Sequence, residues 1–574
     1  MKSWAKTLCV LYVLCGSALH VFSLDREAFS FTNYNLDLQI DPGQHRLGVR
    51  GKITLRNDAA TPQKIAVLQI SSSLNWRSIR AGDKAVQFVT QPYTSDIDHT
   101  GGLSEAIVTL PQAVEPHAAV ELEIGYEGVI LQDATRLTRI GTPDDLARST
   151  DWDQIDTNFT AVRGVGNVAW YPIAAESANL SEGNDLAEIL QRWKAREADS
   201  QMSFMFESTK KTTILFSGHP DGFAVTPEEG MVKIGVFSIL RLGMNVPTFV
   251  LANYKRIDVH GVGAGAVDFI PGKEAAAASY ADVLRNLDPL PGANGGPNLQ
   301  VAELPNPDAA PFLSDNLLLM PFRPLTAEDR LTLVYALARQ RATSPRQWIS
   351  EGLAHYAQAL DIDQQHGRKA ALDYLNAHAS LLVDSEKRFS LSAVTSKEAE
   401  GTPASRSLIK TSDEIYLQSK AMWVCWMLHD MIGPSFSMAV SLYQASADKE
   451  PSYMPRLIAS HTQRDLEWFF DDWVYRDRGL PDFKVDSAFS RSTLTKSYIV
   501  AVTIENLGTA GAEVPVIVKF AGGEVGKRLE VRAKSKATIR VETPAPAQEI
   551  QVNDGSVPET DVTNNTFKAQ PPQN

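Results

Sequence analysis

Cysteine is scarce in this chain, with three in 574 residues: Cys9, Cys15 and Cys425. Two of them fall in "MKSWAKTLCVLYVLCGSALHVFS", where Lys2 and Lys6 precede an apolar run and Val21 and Ser23 stand as the small residues of a cleavage site before Leu24. That order is a secretory signal peptide over residues 1–23, and its removal leaves Cys425 as the one thiol. An intramolecular disulfide and a CxxC metal pair are both excluded; an exported protein of this size can rely on its cores instead. Long apolar runs are also missing. The signal's own run is short for the ~20 residues that cross a bilayer, which argues against an uncleaved anchor. Leu14 before Cys15 argues against a lipoprotein signal. The mature chain is therefore expected in the periplasm or outside the cell, with no transmembrane span. Basic charge is in deficit: without the two signal lysines the 55 basic residues become 53 against 68 acidic ones, a balance of −15. Nucleic acid and anionic membrane surfaces are poor partners for such a charge.

Two kinds of catalytic pattern are absent as well. The eleven histidines contain no HxxxH pair, no HxH pair and no His-Glu dipeptide. HxxxH puts two imidazoles on one helical face, so its loss removes that route to a zinc site. No GxSxG elbow occurs, and Cys425 sits among bulky apolar residues, so no activated nucleophile is visible.

What is present is an ordinary globular composition, 44% hydrophobic and 21% charged, in a length that implies three or four units. From Tyr34 the pattern alternates through Leu36, Leu38 and Ile40, turns at "DPGQ" and resumes at Leu47, Val49, Ile53 and Leu55, which predicts a β-hairpin. Alternation returns at Val120, Leu122, Ile124 and Tyr126, so residues 24–258 read as an N-terminal β domain. Residues 259–480 are mainly helical. They include "KEAAAASYADVLRNL" and a helix in "TQRDLEWFFDDWVYRDRG", with Thr462 and Asp465 as a capping box and Gly479 at its end. Residues 481–567 return to strands, with Tyr498, Val500, Val502 and Ile504 alternating against Val514, Val516, Val518 and Phe520, and read as a C-terminal β-sandwich. Residues 568–574 are a loose tail. The fold class is multidomain α+β.

Within the helical region, Thr326 and Asp329 form a capping box for a helix carrying Leu331, Val334, Leu337 and Ala338. Ser344, Pro345 and Gln347 offer a cap, a first-turn proline and a box partner for a second helix carrying Ile349, Leu353, Tyr356 and Leu360. The short break between them predicts an antiparallel helical hairpin with Glu351 near the start of its second arm.

Here the chain resembles the membrane alanyl aminopeptidases, a family of gluzincin zinc metallopeptidases. "QWISEGLAHYAQ" is similar to the family segment that carries the third zinc ligand, with Glu351 at the ligand position. "DLEWFFDDWVYRDRGLPDFKV" is similar to the end of the family's catalytic region, and "YNLDLQIDPGQHRLGVRGKITLRN" to the start of its N-terminal domain. The resemblance implies a saddle-like N-terminal β domain, a thermolysin-like central domain, and zinc as the cofactor. In the register Glu351 sets, however, Tyr335, Ala336 and Arg339 stand where the HExxH ligands and general base belong. Glu351 is the only retained ligand position, so the residues themselves imply no metal cofactor. Zinc lowers the pKa of bound water from 15.7 to about 7, which no phenol, methyl group or guanidinium replaces. Two arrangements stay open: Arg339 pairs with Glu351 in place of the dication, or both reach solvent.

The family's transition-state tyrosine has Tyr416 as its candidate, four residues before Lys420, with Ala421 where a glycine belongs. Asp315 in "PNPDAAPFLSDNLLLM" is the candidate for holding a substrate amino terminus, and His355, four residues after Glu351, is a second binding candidate. Packing is the competing account of His355, and it is the account given to His429. Three functions follow. The chain is an exported aminopeptidase homologue without zinc that binds a peptide or protein in the remnant cleft. Alternatively it is a metallopeptidase or other hydrolase with an unrecognised site, built from Glu351, His355 and Tyr416. Finally, it is a cell-envelope binding or assembly module acting through its β domains, which would need an exposed apolar or aromatic patch there.

Overall fold

The hairpin that opens the chain shows how alternation becomes architecture. Strands Phe29–Asp41 and Arg46–Asn57 pair antiparallel from Phe29 opposite Asn57 to Asp41 opposite Arg46. Tyr34, Leu36, Leu38 and Ile40 point to one face and are buried, as are Leu47, Val49, Ile53 and Leu55 from the partner strand. Asp41 closes the turn: its carboxylate accepts the Gly43 N–H at 3.0 Å and its carbonyl the Gln44 N–H at 3.2 Å. The computed structural model describes residues 24–182, 185–208, 212–225, 233–239, 241–261, 264–290, 298–395, 407–411, 413–494 and 497–569. The signal peptide expected in residues 1–23 lies outside them.

The hairpin forms the middle of an eight-stranded sheet, with Gln201–Ser208 parallel on one side and Ala119–Val129 antiparallel on the other. A three-stranded sheet of Gln63–Ser71, Gly102–Val114 and Gln87–Thr94 shares its core. Buried tyrosines tie the layers, Tyr34 donating to the Pro172 carbonyl and Tyr126 to the Trp170 carbonyl, both at 2.8 Å. Helix α1 (Asp185–Arg196) adds Ile189 and Trp193 to this core.

A five-stranded sheet begins with β1 (Lys255–Val259), a strand that straddles the boundary expected at 258. Its order is β1-β2-β3-β5-β4, with β2 (Gly265–Phe269), β3 (Leu299–Leu304), β4 (Phe312–Ser314) and β5 (Leu317–Pro321). Strands β2, β3 and β5 run parallel, and helix α2 (Glu274–Asn286) connects β2 to β3, burying Ala277, Tyr280, Ala281 and Leu284. Four long helices follow: α3 (Ala327–Arg341), α4 (Gln347–His366), α5 (Arg368–Thr395) and α6 (Glu414–Ile432). Among the described residues no helix is long and apolar enough to cross a membrane.

Two local expectations need correction. Helix α4 starts at Gln347, so Ser344 is not its cap; the serine hydroxyl takes the Arg346 N–H at 3.0 Å and shapes the entering loop, while Gln347 turns to Gln191. The segment after Thr462 is not one capped helix either. Thr462 and Asp465 each accept a nearby N–H, from Arg464 and Glu467, and the α-helix covers only Glu467–Phe470 before a π-helical turn, Asp471–Tyr475. The apolar face still buries Leu466, Phe469, Phe470, Trp473 and Val474. The wider turn goes with bonds to the next unit: Trp473 donates to the Gly511 carbonyl at 2.8 Å, and Asp472 accepts the Gly511 N–H at 2.9 Å.

The C-terminal unit has a three-stranded sheet (Phe483–Ser492, Tyr498–Asn506, Lys536–Thr543) and a four-stranded one (Gly523–Val531, Ala512–Phe520, Ala547–Val552, Thr566–Lys568). Val500, Val502 and Ile504 from one and Val514, Val516 and Val518 from the other enter a single core. Lys568, placed in the tail by sequence, pairs with Glu549, and residues 570–574 lie outside the described residues.

Candidate functional site

Helix α3 starts where its residues say it should. Thr326 accepts the Asp329 N–H at 3.1 Å while the Asp329 carboxylate accepts the Thr326 N–H at 3.0 Å, a complete capping box. After a break of five residues α4 returns alongside. Contacts between Arg339 and Glu351, Leu331 and Gln358, and Arg330 and Asp361 run in opposite directions along the two helices, which makes them antiparallel. A one-turn spacing puts Tyr335 and Arg339 on the same face of α3, and both meet Glu351.

The Tyr335 hydroxyl donates to Glu351 Oε2 at 2.8 Å, and Arg339 Nε lies 3.4 Å from Oε1. The side chains are largely covered, 12% exposed for Glu351 and 22% for Arg339, so neither reaches freely into solvent. Burial pulls the Arg339 pKa down, but the charge of Glu351, then Tyr335 and Asp315, hold it above its ordinary value. Burial, followed by the Glu351 charge, pushes the Tyr335 phenol well up, with Arg339 opposing. Tyr335 is therefore a donor and Arg339 a fixed cation at neutral pH. Ala336 faces the other way and is fully buried in the core.

His355 completes the cluster. Its Nδ1 is 2.9 Å from Gln358 Oε1. Gln358 donates its amide to the Leu331 carbonyl and accepts the Tyr374 hydroxyl, both at 2.9 Å. With that amide oriented, Nδ1 carries the proton of His355 and Nε2 the lone pair. Nε2 is buried, has no hydrogen-bond partner among the described residues, and lies 3.9 Å from Glu351 Oε2. Burial lowers the His355 pKa, Glu351 and Gln358 oppose this, and His378 and Arg339 lower it further. Gln358, Tyr374 and His378 carry no motif, and nothing in the sequence marks them as the frame of this histidine.

Zinc takes three or more N, S or O donors, and the cluster offers Glu351 and His355 with a guanidinium on the carboxylate. Among the described residues no group of three or more His, Cys, Asp or Glu is placed to hold a metal. The donor set does not fit zinc.

The other candidates separate. Asp315, at the β4–β5 turn with φ 47°, adds to the field on Arg339, and its carbonyl accepts the Gln340 amide. Tyr416, the candidate for the transition-state tyrosine, is hydrogen-bonded to Asp477 and Lys420. Asp413 caps α6 by accepting the Tyr416 N–H at 3.0 Å, and the spacing of four then puts Tyr416 and Lys420 on one face. There the Tyr416 hydroxyl donates to Asp477 and accepts from Lys420 Nζ at 3.0 Å, while Lys420 also pairs with Asp477. All three are buried. Glu414 is the residue at the start of α6 whose charge reaches Tyr335. His429 takes a packing role, bonded to the Tyr356 hydroxyl at 2.7 Å, and burial raises the Cys425 thiol pKa.

No family model matches the chain, and no curated protein matches it. Among solved structures it is similar to a mutant of the M1 zinc metallopeptidase from Deinococcus radiodurans, at 18% identity and a TM-score of 0.45, over 79% of this chain and 95% of that one.

Proposed function

We propose that this chain is an exported, non-catalytic relative of the zinc aminopeptidases that binds a peptide or protein segment at the α3–α4 site. One observation carries the reading: the Glu351 carboxylate is bonded by Tyr335 and faced by Arg339, side chains of the chain itself. A guanidinium that stays protonated can neutralise the carboxylate and orient it, but it activates no water. The binding part of the reading rests on the partial exposure of the cluster's side chains, 12% for Glu351, 22% for Arg339 and 18% for His355. The test is hydrolysis of aminoacyl p-nitroanilides by the purified full chain with and without a chelator. The reading expects no turnover above that of a Glu351→Gln variant. Chelator-sensitive turnover lost in that variant would overturn it, and chelator-insensitive turnover lost in His355→Gln would replace it with a metal-free hydrolase.

A further inference from the structure

A pocket of about 380 Å³ opens where helix α1 of the N-terminal unit meets the first turn of α4, one turn before Glu351. Its walls include Lys194 from α1, Arg346 and Trp348 from the start of α4, and Lys410 with Leu408 from the segment before α6. Its volume lies in the range of small-molecule sites, about 300–1,000 Å³.

The charge of this wall is one-sided. Arg346 is neutralised by Asp448 at 2.8 Å, and among the described residues Arg192, also on the wall, pairs only with the distant Glu27 at 3.8 Å. Lys194 and Lys410 have no ion-pair partner among the described residues, and no carboxylate lies among the described lining residues. Helix α4 begins here without a side-chain cap, so its first N–H groups and the positive end of its dipole add to the same field. The buried indole N–H of Trp348 likewise has no partner among the described residues. Against a chain of net charge −13, two unneutralised lysines in one concavity concentrate anions locally. Leu408, Leu417 and Trp348 supply an apolar floor beside them.

We propose that this pocket is a binding site for a small organic anion, a carboxylate or phosphate monoester joined to an apolar body. The anionic group sits between Lys194 and Lys410, and the apolar part lies over Leu408 and Trp348. The site is separate from the Glu351 cluster and does not depend on the peptide-binding reading.

The experiment is calorimetric titration of the full chain with 4-phenylbutyrate and phenyl phosphate, with 4-phenylbutylamine as the cationic control. Saturable binding at one site per chain is expected for at least one anion and none for the amine, with affinity falling as salt rises. The Lys194→Glu/Lys410→Glu double variant should bind at least about tenfold more weakly, because two attractive charges become repulsive. Lys410 is exposed and Lys194 half-buried, so the variant should keep a melting temperature near the parent's; should it not, Lys410→Met, which removes one charge without adding another, gives the same comparison with a smaller loss. Titration with an acidic heptapeptide separates a peptide source from a small molecule. The proposal is overturned if neither anion binds, if the amine binds as well as the anions, if only the peptide binds, or if affinity is unchanged in the folded lysine variants.

Discussion

Glu351 is stabilised by two neighbours that do different things. Tyr335 satisfies one oxygen by hydrogen bonding, and Arg339 neutralises the charge in a largely water-free setting. Removing Arg339 leaves an uncompensated carboxylate, so Arg339→Met should destabilise the fold by about 1–3 kcal/mol, less than a fully buried pair because both groups retain some exposure. Adding Glu351→Gln should recover part of that loss, and a double-mutant cycle in urea measures the coupling. His355 makes the second residue-level prediction. Its folded pKa lies below the ordinary 6.5, so the unfolded chain takes up a proton first as pH falls. Stability is therefore full above about 6.5 and is lost as pH drops toward the folded pKa. His355→Gln should shrink that acid-side loss without abolishing it, because burial depresses His378 in the same direction. Spacing puts Tyr335 and Arg339 on one helical face and the Thr326–Asp329 box announces α3, but the register that sets them against Glu351 comes from the resemblance of "QWISEGLAHYAQ" to a family segment. The place of Tyr416 is not legible in the sequence: its hydroxyl partner Asp477 lies 61 residues away, beyond a π-helical turn, at a residue with φ 46°.

Helix pairing sets where these side chains can stand. Gly352, next to Glu351, faces Ala421 on α6, and a Cβ built there would lie 2.9 Å from both the Ala421 Cβ and its carbonyl oxygen. The α4–α6 crossing needs a residue without a side chain at this point. Gly352→Ala should cost about 1–3 kcal/mol by overpacking, readable as a lower melting temperature, and Ala421→Gly should restore only part of it because the carbonyl remains in the way. Thr326→Ala should cost about 1 kcal/mol through loss of the α3 cap. Caps of this kind are local, which is why Thr326 and Asp329 announce α3 in the sequence. The start of α4 is set instead by tertiary bonds, Ser344 to Tyr443 and Gln347 to Gln191, which no local pattern encodes. The same holds for the cationic pocket, whose lysines come from segments more than two hundred residues apart in sequence.

Across the molecule, the cores divide the chain differently from its composition. One hydrophobic core runs from Val259 to Val557 and unites the helical unit with the C-terminal strands, while a second runs from Ala28 to Leu251. A smaller cluster, with Trp152, Val250 and Tyr254 against Ala302, Leu304 and Leu319, joins the two. Calorimetry should therefore show the helical and C-terminal units melting together. Lys420, buried against Asp477 and lying over the Trp473 ring, fastens α6 to the segment that leads into the C-terminal unit. Lys420→Met should lower the stability of that joint transition by about 3–5 kcal/mol. The central claim, that Glu351 is held by the chain's own phenol and guanidinium and not by a dication, is tested most directly by the zinc content of the purified full-length protein after equilibration with limiting zinc. The account predicts no stoichiometric zinc, with the same value in Glu351→Gln. One zinc per chain, lost in that variant, would contradict it.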